Sequence, residues 1–212
     1  VDKPDPVIFD VGALIGETVL YFKDQFPKCK ITAFEPSPRS FALLKKNVIQ
    51  NNLTQVRLVN AAVACKSGKM NFYTSKSNAN PWGRGDSLHE NRFNNRQKSK
   101  IVKVSAVRLS TYIKDRVDLL KLDIEGAETE VIQEIESKLT LVENIILEFH
   151  AGFHNPKNKL SEILRILGRN SFNTKIFLSR WLIPKIGINI ALFILPLLKI
   201  EEFWFRIYAT HK

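Results

Sequence analysis

Apolar residues along this chain fall into two alternating patterns, short continuous runs and longer stretches at helical spacing, and the alternation predicts the architecture. Val7-Ile8-Phe9-Asp10-Val11 reads as a strand that ends at Gly12 and passes through Gly16 into an amphipathic helix reaching about Phe26. Lys30-Ile31-Thr32-Ala33-Phe34-Glu35 is a second strand, stopped by Pro36. Pro38 to about Asn51 follows as a helix with Phe41, Leu44 and Val48 toward the core. Val56 to Val63 is a third strand. After Lys66 the pattern loosens into a short strand at Met70 to Tyr73, an Asn/Ser/Gly-rich stretch and a strand at Ile101 to Val107. Regular alternation resumes with a strand from Val117 to Leu122, a helix opened by Glu125 and Glu128, and a strand at Asn144 to Phe149. A helix at Leu160 to Leu167 and strands at Phe172 to Leu178 and Phe203 to Ala209 complete it. This order predicts an α/β fold with a parallel sheet, helices on both faces, and a final antiparallel pair.

With 212 residues and 44% hydrophobic content the chain can bury one substantial core, so one domain over 1–212 is expected, with a basic insert at about 66–108 and an apolar insertion at about 179–200. The tip of the insert, Asn80 to Leu88, carries Trp82 between glycine-rich neighbours and reads either as a lid or substrate loop, or as a solvated basic loop. In the apolar insertion, Ile186 to Leu198 falls short of the roughly twenty residues a membrane crossing needs, and Pro196 breaks it. Flanking Arg180, Lys185, Lys199, Trp181 and Trp204 suit peripheral membrane contact through 181–198; an apolar lid or a dimer face is the alternative. Oligomeric state is left open.

The net charge of +11 is unevenly spread. Residues 66–108 hold ten Lys or Arg against Asp86 and Glu90, whereas residues 109–150 hold four basic against ten acidic residues. The excess of positive charge favours an acidic or phosphorylated acceptor or an anionic membrane. Cys29 and Cys65 make neither a disulfide framework nor a metal signature, which points to a reducing, cytoplasmic compartment. The chain opens at Val1 rather than methionine, which leaves room for an upstream segment, and no signal peptide is present to read.

The chemistry begins at the glycine turn. Gly12 allows a tight turn and close approach of a ligand, Gly16 allows the next helix to pack close to the strand, and the amides at the helix start suit an anionic group. Glu35, at the tip of the second strand, is spaced to accept hydrogen bonds from two ribose hydroxyls. Asn60-Ala61 ends the third strand, where Asn60 is available to an adenine edge or simply makes a turn.

Leu119-Leu120-Lys121-Leu122-Asp123-Ile124-Glu125-Gly126-Ala127-Glu128 is the third landmark. With DVGALIGET, AFEPSP and ILEFH, in that order, it makes residues 6–150 similar to the FkbM-type methyltransferases. The resemblance implies a Rossmann-like class I methyltransferase sandwich: a mostly parallel seven-stranded sheet with an antiparallel closing strand. It also implies S-adenosyl-L-methionine as cofactor and a hydroxyl of a glycan, lipid-linked sugar or secondary metabolite as acceptor. The cofactor-binding set it implies is Asp10, Gly12, Ala13, Gly16, Thr18, Glu35, Pro36, Asn60, Ala61 and Asp123. The chain departs from the family pattern at Leu14, where Asn is usual, and at Ser110, where Asp usually follows Leu109.

Asp123, His150 and Glu125 are the catalytic candidates. Asp123 ends a strand at the topological switch, and His150, on the same strand face as Glu148, is the expected general base, with a structural histidine as its alternative. Lys121 shares a face with Asp123 and is expected to pair with it; helix capping accounts for one of Glu125 and Glu128. No metal is expected, because Asp123, Glu125, His150 and His154 match no strong ligand spacing. Two rivals stand beside this reading: a nicotinamide-dependent oxidoreductase on the same fold, and a non-enzymatic basic module for membrane or nucleic acid. Nucleic acid is the weaker partner, since no run of alternating basic and aromatic residues is present.

Overall fold

The structure, a computed structural model, describes residues 1, 3–75, 86–88, 99–152, 158–178, 181–182 and 202–211. In chain order its elements are β1 (Val7–Val11), α1 (Glu17–Gln25), β2 (Lys30–Phe34), α2 (Pro38–Gln50), β3 (Val56–Val59) and β4 (Ala62–Val63). Next come β5 (Gly68–Ser75), β6 (Ser99–Val107), β7 (Leu119–Leu122), α3 (Glu128–Glu134) and β8 (Asn144–Gly152). The chain ends with α4 (Leu160–Arg169), β9 (Phe172–Leu178), β10 (Trp181–Leu182) and β11 (Glu202–His211).

The main sheet runs β10-β9-β11-β8-β7-β1-β2-β3. Neighbours from β8 to β3 are parallel, while β11 runs antiparallel between β8 and β9. This is the expected mostly parallel seven-stranded sheet, extended at one edge by the two residues of β10, which pair antiparallel with β9. Side chains of β1 alternate between two cores, as strand geometry requires. Ile8 packs with Val19, Phe22, Ile31 and Leu44 beneath α1 and α2. Phe9 and Val11 face the opposite core, with Ile132, Leu147, Ile163 and Ile166 beneath α3 and α4. Helices therefore cover both faces, and the strand order reverses between β1 and β7, which leaves a crevice at their carboxyl ends.

Three local expectations differ. The third strand divides: β3 stays in the main sheet, while β4 pairs in parallel with β6 in a second sheet of order β4-β6-β5. Asn60 stands at the break, its carboxamide donating to the carbonyls of Glu35 and Pro36, so the chain leaves the main sheet there. β5 and β6 are longer than their apolar cores, because antiparallel pairing recruits Lys69, Asn71, Thr74 and Lys100 through backbone hydrogen bonds. Glu125 does not open the helix; it lies in a left-handed turn (φ 55°) with Gly126 (φ 107°), and α3 begins at Glu128. Cys29 is buried and Cys65 exposed, both free. Among the described residues no helix is long and apolar enough to cross a membrane. Trp82, His154 and residues 183–200 of the apolar insertion lie outside the described residues.

Asp118 fastens the start of the sheet. Its carboxylate accepts hydrogen bonds from the Val7 amide (2.8 Å), Lys3 Nζ (3.2 Å) and Arg116 Nε (3.2 Å), while its own amide donates to the Val7 carbonyl (2.9 Å). Burial pushes this carboxyl up, but the Val7 amide and the Lys3 and Arg116 cations outweigh it and hold the group below its ordinary value. Asp118→Ala is expected to lower the unfolding free energy by about 1–3 kcal/mol at neutral pH in urea titrations. A carboxyl with a depressed folded value contributes above its unfolded value, about 3.9, and loses that contribution as pH falls through the folded one. The gap between wild type and variant should therefore close below about pH 4. A gap that persists undiminished at pH 2–3 would assign the loss to packing instead.

Candidate active site

The glycine turn is built by close approach of two strands. Gly12 is left-handed (φ 84°), and a Cβ there would collide with the Asp123 carbonyl, so the turn after β1 and the end of β7 can touch only at glycine. Gly12 and Ala13 both donate their amides to the Phe34 carbonyl (3.1 and 3.0 Å), which ties the turn to β2. Gly16 (φ 93°) precedes α1, and a Cβ on it would lie 2.7 Å from Leu44 Cδ1. The close packing that Gly16 permits is thus against α2 rather than against the strand.

The polar frame beneath the turn is a buried ammonium. Lys121 Nζ donates to the Gly12 carbonyl (2.8 Å) and stands 3.2 Å from Asp10 Oδ1 and 3.7 Å from Asp123 Oδ2. Burial pulls its pKa down, but Asp10, Asp123 and Glu148 outweigh burial and hold it above the ordinary lysine value. Asp10 is fully buried, and its second oxygen accepts from the Thr18 hydroxyl, locking β1 to α1.

At the end of β2, Glu35 is 5% exposed and accepts hydrogen bonds from the Leu14 amide (2.9 Å) and the Ser37 amide (2.8 Å). Burial is the larger influence and Asp86 adds to it; the two amides and Lys121 only partly compensate, so the carboxyl is pushed up to about 8. A folded value above the unfolded one means that this proton stabilises the unliganded fold at low pH, and that the contribution fades as pH rises toward 8.

His150, on β8 and 8% exposed, is enclosed by carboxylates. Nδ1 lies 3.0 Å from Glu128 Oε1; Nε2 lies 3.2 Å from Glu125, 3.8 Å from Asp123 and 3.8 Å from Glu148. Burial lowers the imidazole pKa, but the Glu128 hydrogen bond and the charges of Glu128, Glu125 and Asp123 overcome it and raise the value to about 9. With Nδ1 on Glu128 and Nε2 on Glu125, His150 is placed to support the acidic turn, and the surrounding carboxylates favour its protonated form over the neutral ring a general base would use. Asp123, Glu148 and His150 bring one potential ligand atom each within 4.8 Å of one another, and the carboxylates and the ring pair as ions there. Glu128 is held in turn by the Gly126 amide (2.9 Å) and by Asn158, whose amide also donates to the His150 carbonyl (2.8 Å).

Between these groups opens a cavity of about 470 Å³, within the usual range for small-molecule sites. Of the residues expected from the sequence, Gly12, Ala13, Thr18, Glu35, Pro36, Ala61, Asp123 and Glu125 line it. Asp10, Gly16, Asn60 and His150 do not: the first three brace the turn and the strand ends, and His150 stands behind Glu125. The Asn60 amide nitrogen donates to the Glu35 and Pro36 carbonyls, which braces the β2 loop. Leu14 also lines the cavity. Ser110 does not; its amide and hydroxyl bind Glu134 beside α3. Asp86 and Leu88, from the insert tip read as a lid or substrate loop, line the cavity, whereas sequence reasoning did not find Arg206 as a lining residue or Asn158 as a support. Arg206 comes from a cross-strand pairing with Glu148 that no local pattern announces, whereas Lys121 and Glu148 were findable by their two-residue spacing from Asp123 and His150.

Residues 10–174 match the methyltransferase FkbM domain. Similar proteins include the 2-O-methyltransferase NoeI of Sinorhizobium fredii, 29% identical over 159 residues, 70% of this chain and 65% of that protein. Another is the 31-O-demethyl-FK506 methyltransferase FkbM of Streptomyces tacrolimicus, 28% identical over 196 residues, 80% and 74%. In fold, the chain is similar to the crystal structure of methyltransferase FkbM from Methylobacillus flagellatus, with a TM-score of 0.58 at 12% identity over 96% of this chain and 44% of that one. The chain spans 65% of the length of NoeI. The family match takes in the glycine turn, Glu35, the acidic turn after β7 and His150, and on that extent the chain belongs to the FkbM methyltransferase family.

Proposed function

We propose that this chain transfers a methyl group from S-adenosyl-L-methionine to a hydroxyl oxygen of a glycan, lipid-linked sugar or secondary metabolite. The observation that carries the reading is the charge of the cavity. On a chain of net charge +11, and with Glu35 protonated, the described wall still holds Glu17, Asp86, Asp123, Glu125 and Glu148 against Lys121 and Arg206. That wall suits a cofactor of net positive charge with two ribose hydroxyls. It opposes a nicotinamide dinucleotide, whose phosphates would face the same carboxylates.

S-adenosyl-L-methionine supplies an electrophilic methyl group on a positively charged sulfur. Glu35 would accept the ribose hydroxyls, Pro36 and Ala61 would border the base, and Gly12, Ala13 and Thr18 would border the amino-acid end. Asp123, between turn and acceptor, orients the reacting groups. Glu125 receives the acceptor's proton. A hydroxyl becomes strongly acidic as its oxygen gains a methyl group, so a carboxylate is a sufficient base and a neutral imidazole is not required. His150, 3.2 Å from Glu125 and 3.8 Å from Asp123, positions both carboxylates. The names of NoeI and of the Streptomyces protein support oxygen as the acceptor atom. Exposed Lys66, Lys69, Lys100 and Lys103, outside the acidic cavity, suit an acidic or lipid-linked portion of the acceptor, and residues 181–198 suit peripheral contact with a membrane.

Calorimetry is expected to detect binding of S-adenosyl-L-methionine and its demethylated product but not of NAD; binding of NAD alone, or of none of the three, would sink the proposal. Because ribose hydroxyls donate to the carboxylate form of Glu35, binding must expel its proton below pH 8. Cofactor affinity should rise with pH by up to about tenfold per unit below that value and level off above it. Glu35→Gln should flatten this profile, and a wild-type affinity unchanged between pH 6.5 and 8.5 would remove Glu35 from the cofactor contacts. His150→Ala should lower turnover by about a hundredfold while cofactor affinity stays within about twofold. Unaltered turnover would return His150 to a purely structural role.

A further inference from the structure

The acidic turn after β7 is strained and must be held. Glu125 is a non-glycine residue at φ 55°, followed by Gly126 at φ 107°. A left-handed conformation at such a residue costs on the order of 1–3 kcal/mol and persists only where its surroundings over-determine it. One anchor is Glu128, which accepts the Gly126 amide (2.9 Å). A second comes from a distant part of the chain: Ser87 Oγ donates to the Glu125 carbonyl at 2.7 Å, across 38 positions of sequence.

Ser87 is fully buried although it belongs to the basic insert. Its backbone exchanges two hydrogen bonds with Tyr73 of β5, from the Tyr73 amide (2.7 Å) and to the Tyr73 carbonyl (3.0 Å), which fastens it to the β5–β6 hairpin. Its neighbours Asp86 and Leu88 line the cavity, and Asp86 acts electrostatically on Glu35 at the other end. This three-residue stretch therefore reaches from the Glu35 side of the cavity to the Glu125 side.

We propose that Ser87 is a positioning residue: its hydroxyl, delivered by the hairpin, holds the turn so that the Glu125 carboxylate stays on the His150 ring beside the acceptor. Any acceptor that presses on Asp86 or Leu88 then reaches Glu125 through one hydrogen bond. The consequence for turnover rests on the methyl-transfer reading above; the positioning itself does not.

His150 reports the position of Glu125 directly. Among the described residues, the charged groups that face it are Glu128 from α3, Glu125 and Asp123 from the turn after β7, and Glu148 from its own strand, with Arg206 of β11 lying 3.5 Å from Glu148. Loss of the Ser87 hydroxyl lets Glu125 move away from the ring, which removes negative charge and lowers the imidazole pKa. The test is a proton–carbon NMR titration of the histidine rings, with His150→Gln used to assign the His150 signal. Ser87→Ala should shift the His150 midpoint down by about 0.5–1 pH unit. It should also lower turnover about tenfold, with S-adenosyl-L-methionine affinity within about twofold of wild type. Ser87→Cys, close in size with a weak donor, should shift it in the same direction, and Ser87→Thr, which keeps the hydroxyl, should restore the wild-type midpoint. An unshifted His150 midpoint in either folded variant, alanine or cysteine, overturns the proposal. A wild-type protein that binds no S-adenosyl-L-methionine would instead defeat the methyl-transfer reading, while the titration would still decide the role of Ser87.

Discussion

The structure depends on one buried cation. The Lys121 ammonium holds the Gly12 carbonyl, the Asp10 carboxylate and the Asp123 carboxylate in one cluster at the point where the strand order reverses. Without it, Asp10 and Asp123 would repel each other in a poorly solvated crevice, and the Gly12 turn would lose its tie to β7. With it, two negative groups and a strained turn become mutually supporting. The geometry also explains why glycine stands at position 12: the contact between β1 and β7 that brings Lys121 to the Gly12 carbonyl leaves no room for a Cβ beside the Asp123 carbonyl.

A second cation, the His150 imidazolium, repeats the device on the acceptor side. Glu128, Glu125, Asp123 and Glu148 surround it, as Asp10 and Asp123 surround Lys121, and Asp123 belongs to both groups. Lys121 in the cavity wall and His150 behind Glu125 thus balance part of the acidic charge, while carboxylates remain on the cavity.

The fold was legible wherever hydrophobic period alone decides it. β1, β2, β7 and α2 fall at or within a few residues of their expected bounds, because apolar runs and the Ser37-Pro38 helix start speak locally. What failed was decided by partners remote in sequence. The break after β3 depends on Asn60 reaching back to the β2 loop, and the full lengths of β5 and β6 depend on pairing between polar residues. The site divides in the same way. Glu35, Gly12 and Asp123 announce themselves by position at strand ends, but the protonation of His150 does not. It follows from Glu128, whose place in the acidic turn suggested a helix cap and whose carboxylate instead meets the imidazole.

Leu14 shows how a departure from family pattern can leave the turn intact. Its backbone is left-handed (φ 50°), a conformation in which asparagine is far more at ease than leucine. The chain bears that cost because the neighbouring residues are fixed independently: Gly12 and Ala13 by the Phe34 carbonyl, and Ile15 by the Asn47 carboxamide at 2.7 Å. The left-handed backbone directs the Leu14 amide to Glu35, so the residue's main contribution to the site is an N–H that any amino acid but proline carries. Its side chain lends the cavity wall an apolar surface. Polar selectivity in this part of the cavity then rests more heavily on Glu17, Thr18 and Glu35 than on the turn itself.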